Sequence, residues 1–315
     1  MNIIKGINDV TVEGFVATIG FFDGVHLGHR FLINNMIKIA RERNLLSAVI
    51  TFPEHPRKVL QSDYQPQLLN SFEEKLARLE TTGVDYCIVL PFTPELANYP
   101  ANEFIHAVLS QKLHVKTLLI GYDHRFGRGR TDGFREYAGY GAACGMEVLK
   151  IARFIENEIT VSSSETRKLL LEGKVEEAAK LLTYPYQIKG SIISGHKVGR
   201  TLGFPTANIR IDEPFKIAPG IGVYAVWVQL QDKRYKGMLY IGNRPTLNNG
   251  DTITLEVNIL DFSGDIYNNV ITVSFICFIR GNIRFNTLEE LKIQLEKDRQ
   301  TVNERLTANE AYHVL

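Results

Sequence analysis

Cysteine is scarce: three residues in 315, Cys87, Cys144 and Cys277, far apart and odd in number. None belongs to a C-x-x-C pair, which argues against a structural zinc site and a disulfide framework and fits reduced thiols in a cytosol. Net charge is nearly absent, since 36 Lys+Arg against 35 Asp+Glu leave +1. No global field therefore draws the chain to nucleic acid or a membrane surface. No apolar run approaches the length of a membrane span, and the opening MNIIKGINDV lacks the apolar h-region of a secretory leader. Low-complexity tracts and internal repeats are missing too. The expectation is a cytoplasmic protein, monomeric or weakly homo-oligomeric. Its 44% hydrophobic and 23% charged residues suit a globular chain long enough for two ordinary domains.

To about residue 183, strand and helix patterns alternate. Segments 15–19, 47–52, 84–90, 117–121 and 147–151 read as strands. Segments 72–79 (with Phe72, Leu76 and Leu79 on one face), 101–109 and 133–143 read as helices. This βαβα order implies a parallel sheet covered on both sides, with ligands bound beyond the carboxyl ends of its strands. Three polar stretches bearing Gly or Pro follow strands, where that rule places a site.

The first is GFFDGVHLGHR, residues 20–30, a strand-to-helix connection. Asp23–Gly24 makes a turn, and Leu32/Ile33, Met36/Ile37 and Ala40 recur at helical spacing after it. His26 and His29 lie three apart, so both rings can face one side as the helix opens. Gly28 admits close approach to the backbone, and helix-start N–H groups attract anions. The combination suits charge stabilisation at a phosphorus centre without a covalent intermediate. A zinc reading needs a third ligand, and none stands nearby at a familiar spacing. The second is TFPEHPRKVL, residues 51–60, a proline-stiffened loop with polar His55 and Arg57. The third is GYDHRFGRGR, residues 121–130, a cationic loop suited to phosphate; its G-x-G-x-x-x-G spacing is not a dinucleotide fingerprint. Beyond them, VSSSETRKLL at 161–170 sets three serines and Arg167 at a helix start, either a plain N-cap or an anion cradle.

A helix over 174–182, with Val175, Ala178, Ala179 and Leu182 on one face, leads to Tyr184–Pro185, where a boundary is expected. Then the pattern turns to β: 187–193, 223–230, 235–241, 253–261 and 271–279 read as strands, and successive strands without helices suggest an antiparallel sheet or closed barrel. A helix over 287–306 follows, with Thr287 and Glu290 as a capping box and Leu288, Leu291 and Leu295 on one face. GHKVGRTLGFPTAN, residues 195–208, lacks the ending of a P-loop. Its Thr206 and Asn208 share a face if extended, and their oxygens suit Mg²⁺. In TLEVNILDF, Glu256 alternates with apolar Leu255 and Val257; it is either an exposed acid or, beside a phosphate loop, a carboxylate able to take a hydroxyl proton.

GFFDGVHLGHR resembles the HxGH signature of nucleotidyltransferases, and more narrowly the N-terminal module of the prokaryotic bifunctional riboflavin kinase/FAD synthetases. TFPEHPRKVL, GYDHRFGRGR and VSSSETRKLL resemble that module's other motifs in order. GHKVGRTLGFPTAN closely resembles the riboflavin kinase signature, and GNRPT (242–246) and LEVNILDF match further landmarks. The resemblance implies an α/β plus β protein. A Rossmann-like nucleotidyltransferase α/β domain with a parallel sheet would span 1–183. A riboflavin-kinase-like antiparallel β-barrel with a terminal helix would span 184–315.

It also implies two reactions, ATP phosphorylating riboflavin to FMN and a second ATP adenylating FMN to FAD with release of pyrophosphate. His26 and His29 would stabilise the α-phosphate as the FMN phosphate attacks. Gly20 and Phe21 would lie against the nucleotide, and Ser162, Ser163, Ser164 and Arg167 at the triphosphate. Asp123 and the loop carrying His55 and Pro56 would lie on the flavin side. Thr206 and Asn208 would hold Mg²⁺–ATP in the kinase, Gly199 and Arg200 would lie near its phosphates, and Glu256 would act as base on the ribityl 5′-hydroxyl. The partners implied are riboflavin, FMN, FAD, ATP and pyrophosphate, with no nucleic acid and no membrane.

Departures from the family pattern are Glu54, His124, Ser164, Thr166, Thr131-Asp132-Gly133, Asn258 and Asn282. Competing readings are one active module, transfer to another phosphate-bearing substrate, and a flavin-binding or regulatory protein that has lost catalysis. The kinase signature opposes the second, and retention of His26, His29, Thr206, Asn208 and Glu256 opposes the third.

Overall fold

Five consecutive buried residues, FVATI, need a sheet covered on both faces, and they form an inner strand of one. The computed structural model describes every residue except 8, 9, 13, 157, 158, 194–202, 247–249 and 313–315, and it divides into the units Met1–Ser163 and Ser164–Leu315. In the first unit the strands are β1 (Asn2–Lys5), β2 (Phe15–Ile19), β3 (Leu46–Thr51), β4 (Tyr86–Val89), β5 (Val115–Ile120) and β6 (Glu147–Lys150), followed by a small pair, β7 (Ile155–Glu156) and β8 (Ile159–Thr160). The helices are α1 (Leu27–Glu42), α2 (Pro56–Leu60), α3 (Phe72–Glu80), α4 (Pro94–Ala97), α5 (Ala101–Glu103) and α6 (Phe134–Ala143).

The main sheet has the order β1-β4-β3-β2-β5-β6, and its strands pair in parallel throughout. Phe15, Ala17 and Ile19 of β2 enter one apolar core with Leu118 and Tyr137. Val16 enters the other, with Ile33, Met36 and Ala40 of α1. The chain moves outward from β2 through β3 to β4 and then restarts at β5 on the other flank of β2. The order of the strands thus reverses between β2 and β5, the place where open parallel sheets bind ligands. The loops leaving β2, β3 and β5 are the three stretches singled out above.

Two elements differ from expectation. β1 adds a strand at the edge next to β4; only four residues long and mostly exposed, it leaves no readable period. The helix expected over 101–109 is α only to Glu103 and continues as a π-helix over Phe104–Lys112. The wider turn keeps Phe104, Ile105, Val108 and Leu109 buried together.

The second unit holds α7 (Ser163–Leu171, starting at the division), α8 (Val175–Leu182), β9 (Gln187–Ile193), β10 (Ala207–Ile211), β11 (Gly222–Leu230), β12 (Lys233–Thr246), β13 (Gly250–Ile259), β14 (Val270–Arg280) and α9 (Leu288–Tyr312). Its six strands close a barrel in the order β10-β13-β12-β11-β14-β9, with antiparallel neighbours. α7 and α8 fall with the barrel. The Gly220 N–H donates to Leu170 O at 2.9 Å, and the Glu176 carboxylate accepts from the Phe278 N–H at 3.3 Å. The structural division thus precedes the 183/184 boundary of the sequence reading.

At the start of α9, Thr287 Oγ1 accepts from the Glu290 N–H at 3.1 Å, as a capping box requires, but the Glu290 carboxylate accepts from Asn286 N–H instead of Thr287. The expected face is only partly used. Leu288 is 63% exposed, and the fully buried positions lie further along, at Val302 and Leu306. The helix touches the barrel mainly through its later turns.

Candidate active sites

In the first unit, Phe22 (φ 55°) and Val25 (φ 39°) follow β2 in the left-handed region. Such conformations cost L residues about 1–3 kcal/mol each and persist only when packing enforces them. Both side chains are buried in the α1 core, which supplies that packing. The outcome is a sharp turn that delivers His26 as the N-cap of α1. His26 Nδ1 accepts from the His29 N–H at 3.3 Å. A neutral imidazole that accepts at Nδ1 carries its proton at Nε2, so the cap also selects the tautomer. The two rings stack at 3.7 Å and 16°, and Phe22 meets the His29 ring edge-on at 5.1 Å. Gly28 lies where a Cβ would come within 3.3 Å of the His26 ring and 3.2 Å of Val161 O. Any larger residue would press on the histidine pair.

The Asp23 carboxylate turns inward and accepts from the N–H groups of Leu69 (3.0 Å) and Asn70 (3.2 Å). Its carbonyl accepts from Ser163 Oγ at 2.9 Å, so one of the three expected serines braces this turn. Ser162 lies beside it in the first unit, whereas Ser164 and Arg167 belong to the second. Gly20, whose N–H donates to Ile50 O at 3.0 Å, joins the loop to β3.

His55 caps α2, its Nδ1 accepting from the Arg57 N–H at 3.2 Å, with Pro56 at the first helical position. Its ring packs edge-on against Phe21 at 4.8 Å. After β5, the Tyr137 hydroxyl accepts from the Phe126 N–H at 2.9 Å and lies 3.0 Å from the carbonyls of Phe126 and Asp132. Gly127, at φ 84°, packs where a Cβ would come within 2.8 Å of Ala101. These loops frame a mainly apolar cavity of about 320 Å³, walled by Phe52, Phe92, Phe104 and Phe126 and edged by Arg130. His55, Pro56 and Asp123 stand outside its lining. The Thr131–Gly133 departure is accommodated: Asp132 faces Tyr140 at 3.5 Å, and the Gly133 N–H donates to the Glu136 carboxylate at 2.8 Å to start α6.

One residue here belongs to none of these motifs. Lys75 of α3 is 2% exposed, and its ammonium donates to Phe52 O at 2.7 Å and Phe21 O at 3.1 Å while lying 4.1 Å from the Phe21 ring centre. Burial pushes it down to about 8, opposed by the Asp23 carboxylate. A signal existed: Lys75 interrupts the stripe of Phe72, Leu76 and Leu79.

In the second unit, strand register assembles the site. Asn208 pairs with Glu256, Glu256 with Tyr240, Tyr240 with Val223, and Val223 with Arg280. Directly paired residues share a face, so one row runs across five strands. Glu256, Tyr240, Val223 and Arg280 of that row line a cavity of about 330 Å³ with Thr206 and Phe285. Thr206 Oγ1 lies 3.5 Å from Glu256 Oε2. Burial and the Glu256 charge push the Tyr240 hydroxyl up, and it lies 3.3 Å from Asn282 Oδ1.

The Asn258 amide donates to Pro205 O at 2.7 Å and so fixes the segment that carries Thr206. Phe204 and Asn258 also wall a second cavity of about 330 Å³, beside Asp261, Phe262 and Arg299. Gly199 and Arg200 lie outside the described residues. Thr206 and Asn208 offer hard oxygen donors, the kind that Mg²⁺ prefers. Among the described residues no group of three or more His, Cys, Asp or Glu is placed to hold a metal, so an ion here would need oxygens from a bound phosphate as well.

Arg280 is held by Asp298 of α9 through contacts of 2.7–3.0 Å, and Gln294 donates to the same carboxylate at 2.8 Å. Asp298 is 2% exposed. Removing one partner of a buried pair costs about 3–5 kcal/mol, so Asp298→Ala is expected to lower barrel stability by about 3 kcal/mol. Trp227, the single tryptophan, packs in the barrel core with Val302 and Leu306. Its fluorescence during urea unfolding therefore reads this change, and an unmoved midpoint would deny the pair its role.

A FAD synthetase family model matches residues 9–165, and a riboflavin kinase family model matches 182–306. The chain is 38% identical over 308 residues to the bifunctional riboflavin kinase/FMN adenylyltransferase of Escherichia coli K12, covering 96% of this chain and 97% of that one. It is 38% identical over 286 residues to the Listeria monocytogenes protein of the same name, covering 90% of each. The Bacillus subtilis protein is 36% identical over 291 residues, again covering 90% of each. A solved structure described as a macrolide-efflux protein from Streptococcus pneumoniae superposes with a TM-score of 0.86 at 30% identity, covering 96% of this chain and 99% of that one. Among the described residues, no helix is long and apolar enough to cross a membrane.

Proposed function

The chain belongs to the family of bifunctional riboflavin kinase/FMN adenylyltransferases, and on that premise we propose which residues carry each half of its work. It makes FMN from riboflavin and FAD from FMN, using ATP in both reactions. We assign the adenylyltransferase to 1–183 and the kinase to 184–315; the order of the two family matches supports this. A cytoplasmic setting agrees with the three free thiols.

In the kinase half, Glu256 takes the proton of the ribityl 5′-hydroxyl as that oxygen attacks the γ-phosphorus of ATP, and ADP leaves. A base must reach its proton within about 3 Å in the bound complex, and a strand-held carboxylate on the cavity wall is placed for this. Thr206 and Asn208 would hold Mg²⁺, which neutralises phosphate charge when bound. Phe204 and Asn258 line both cavities of this unit, which are assigned to the flavin and the nucleotide. Gly199 and Arg200 are assigned to the phosphates by family resemblance alone.

In the adenylyltransferase half, an oxygen of the FMN phosphate attacks the α-phosphorus of ATP, and pyrophosphate leaves. No protein nucleophile is needed. His26 and His29 donate to the oxygens on which charge grows, a form of stabilisation that acts in the transition state. Gly20 and Phe21 back the nucleotide, and Ser162, Ser163, Ser164 and Arg167 are assigned to its phosphates. The aromatic cavity takes the isoalloxazine ring, with Asp123, His55 and Pro56 shaping the loops around it.

The observation that carries this reading is the segregation of the two chemistries: the stacked histidines stand where the parallel sheet reverses, and Glu256 stands in the barrel. The test is the separate loss of each activity when His29 and Glu256 are replaced.

A further inference from the structure

A buried lysine joins the two loops, after β2 and β3, that carry the proposed adenylyl-transfer site. We propose that Lys75 is the positioning residue of this site: through the carbonyls of Phe21 and Phe52 it sets the loop after β2 against the loop after β3. The inference rests on the assignment of adenylyl transfer to His26 and His29.

The geometry is specific. Phe21 immediately precedes the strained turn that presents the histidine pair, and Phe52 begins the loop that carries His55 and walls the aromatic cavity. β2 and β3 are parallel neighbours, and Phe21 and Phe52 lie just beyond their ends. Lys75 bonds both, at 3.1 and 2.7 Å, and lies over the Phe21 ring. That ring also packs against His55. Thr51 Oγ1 adds a second donor to Phe21 O at 3.2 Å.

The same stretch of chain braces the turn at another point, because the Leu69 and Asn70 N–H groups hold the Asp23 carboxylate. A capping box closes the start of α3: Ser71 Oγ accepts from Glu74 N–H and the Glu74 carboxylate accepts from Ser71 N–H. A buried ammonium is an expensive way to pair two carbonyls. A methionine would fill the space without that desolvation, so the charge points to a task beyond packing.

The groups that face Lys75 are the Asp23 carboxylate and, from β4, the Cys87 thiol, itself pushed up to about 11 by burial. With Lys75 down at about 8, the ammonium is present below that pH and lost above it. The geometry of transfer loosens as pH rises through this value.

The experiment uses the full chain, with riboflavin phosphorylation as an internal control. A misplacement of about 1 Å costs a reaction about 100-fold. Lys75→Met is therefore expected to lower kcat for FAD formation by about 100-fold, with KM for ATP within about threefold of wild type and FMN formation unchanged. Lys75→Arg keeps a charge that does not titrate, so the loss of wild-type FAD synthesis above pH of about 8 should be absent from it. Three results overturn the proposal: FAD formation in Lys75→Met within about threefold of wild type, both activities falling together, or identical pH profiles for wild type and Lys75→Arg. His29→Ala, assayed alongside, keeps two failures apart. If it retains FAD synthesis, the site assignment falls; if it loses FAD synthesis while Lys75→Met does not, only the positioning role falls.

Discussion

Glu256→Gln is expected to lower kcat for riboflavin phosphorylation by about three orders of magnitude, within the range for loss of a general base, while supplied FMN is still converted to FAD at the wild-type rate. The amide keeps the size of the carboxylate and can still accept from Thr206, now 3.5 Å from it. What it loses is the capacity to take a proton. Because the interaction is made as the hydroxyl reacts, the deficit belongs in kcat, with KM for riboflavin little changed. Position in the sheet excludes a trivial cause. Glu256 sits between Asn208 and Tyr240 in continuous antiparallel ladders, so the backbone that holds it does not depend on its charge. Kinase activity within about tenfold of wild type would remove Glu256 from the role of base.

His29→Ala is expected to produce the opposite pattern. FAD formation falls by about 100- to 1,000-fold, the range for removing one donor from a charge-stabilising site, and FMN formation is untouched. His29 is the better target because His26 also caps α1. Loss of a cap costs about 1 kcal/mol of helix stability and would blur the result. His29 contributes its backbone N–H to that cap, and alanine retains it. Its side chain stacks on His26 and meets Phe22 edge-on, contacts that tune ring placement without holding the core. The loss again belongs in kcat. Undiminished FAD synthesis would take His29 out of the mechanism.

Much of this layout could be read from the residues because phosphate chemistry places strong local demands on the chain. A glycine must lie against His26 for the histidine pair to stack, and Gly28 does. A turn must end β2 abruptly, and Asp23–Gly24 supplies it. Alternating strands and helices told of a parallel sheet for the same local reason, since each period is written within a few residues.

What stayed hidden depends on pairings between distant parts of the chain. The row from Asn208 to Arg280 follows from strand register, and a period of two leaves register open. Asp298 holds Arg280 only because α9 folds back on β14, 18 positions from Arg280. β1 is too short and too exposed to carry a period. Lys75 is the instructive case: a lysine on an apolar helical stripe is usually a stem laid along the surface, and only the two carbonyls above it reveal an ammonium enclosed between the loops after β2 and β3.

The most direct test of two sites in one chain is a complementation assay followed by chromatography. Glu256→Gln and His29→Ala are mixed with riboflavin, excess ATP and Mg²⁺, with each variant alone as control. Over a time in which wild type completes conversion, Glu256→Gln alone should leave nearly all the riboflavin, His29→Ala alone should accumulate FMN, and the mixture should carry riboflavin through free FMN to FAD. A mixture that stops at FMN, although Glu256→Gln converts added FMN to FAD, would contradict two independent sites joined by a diffusing intermediate.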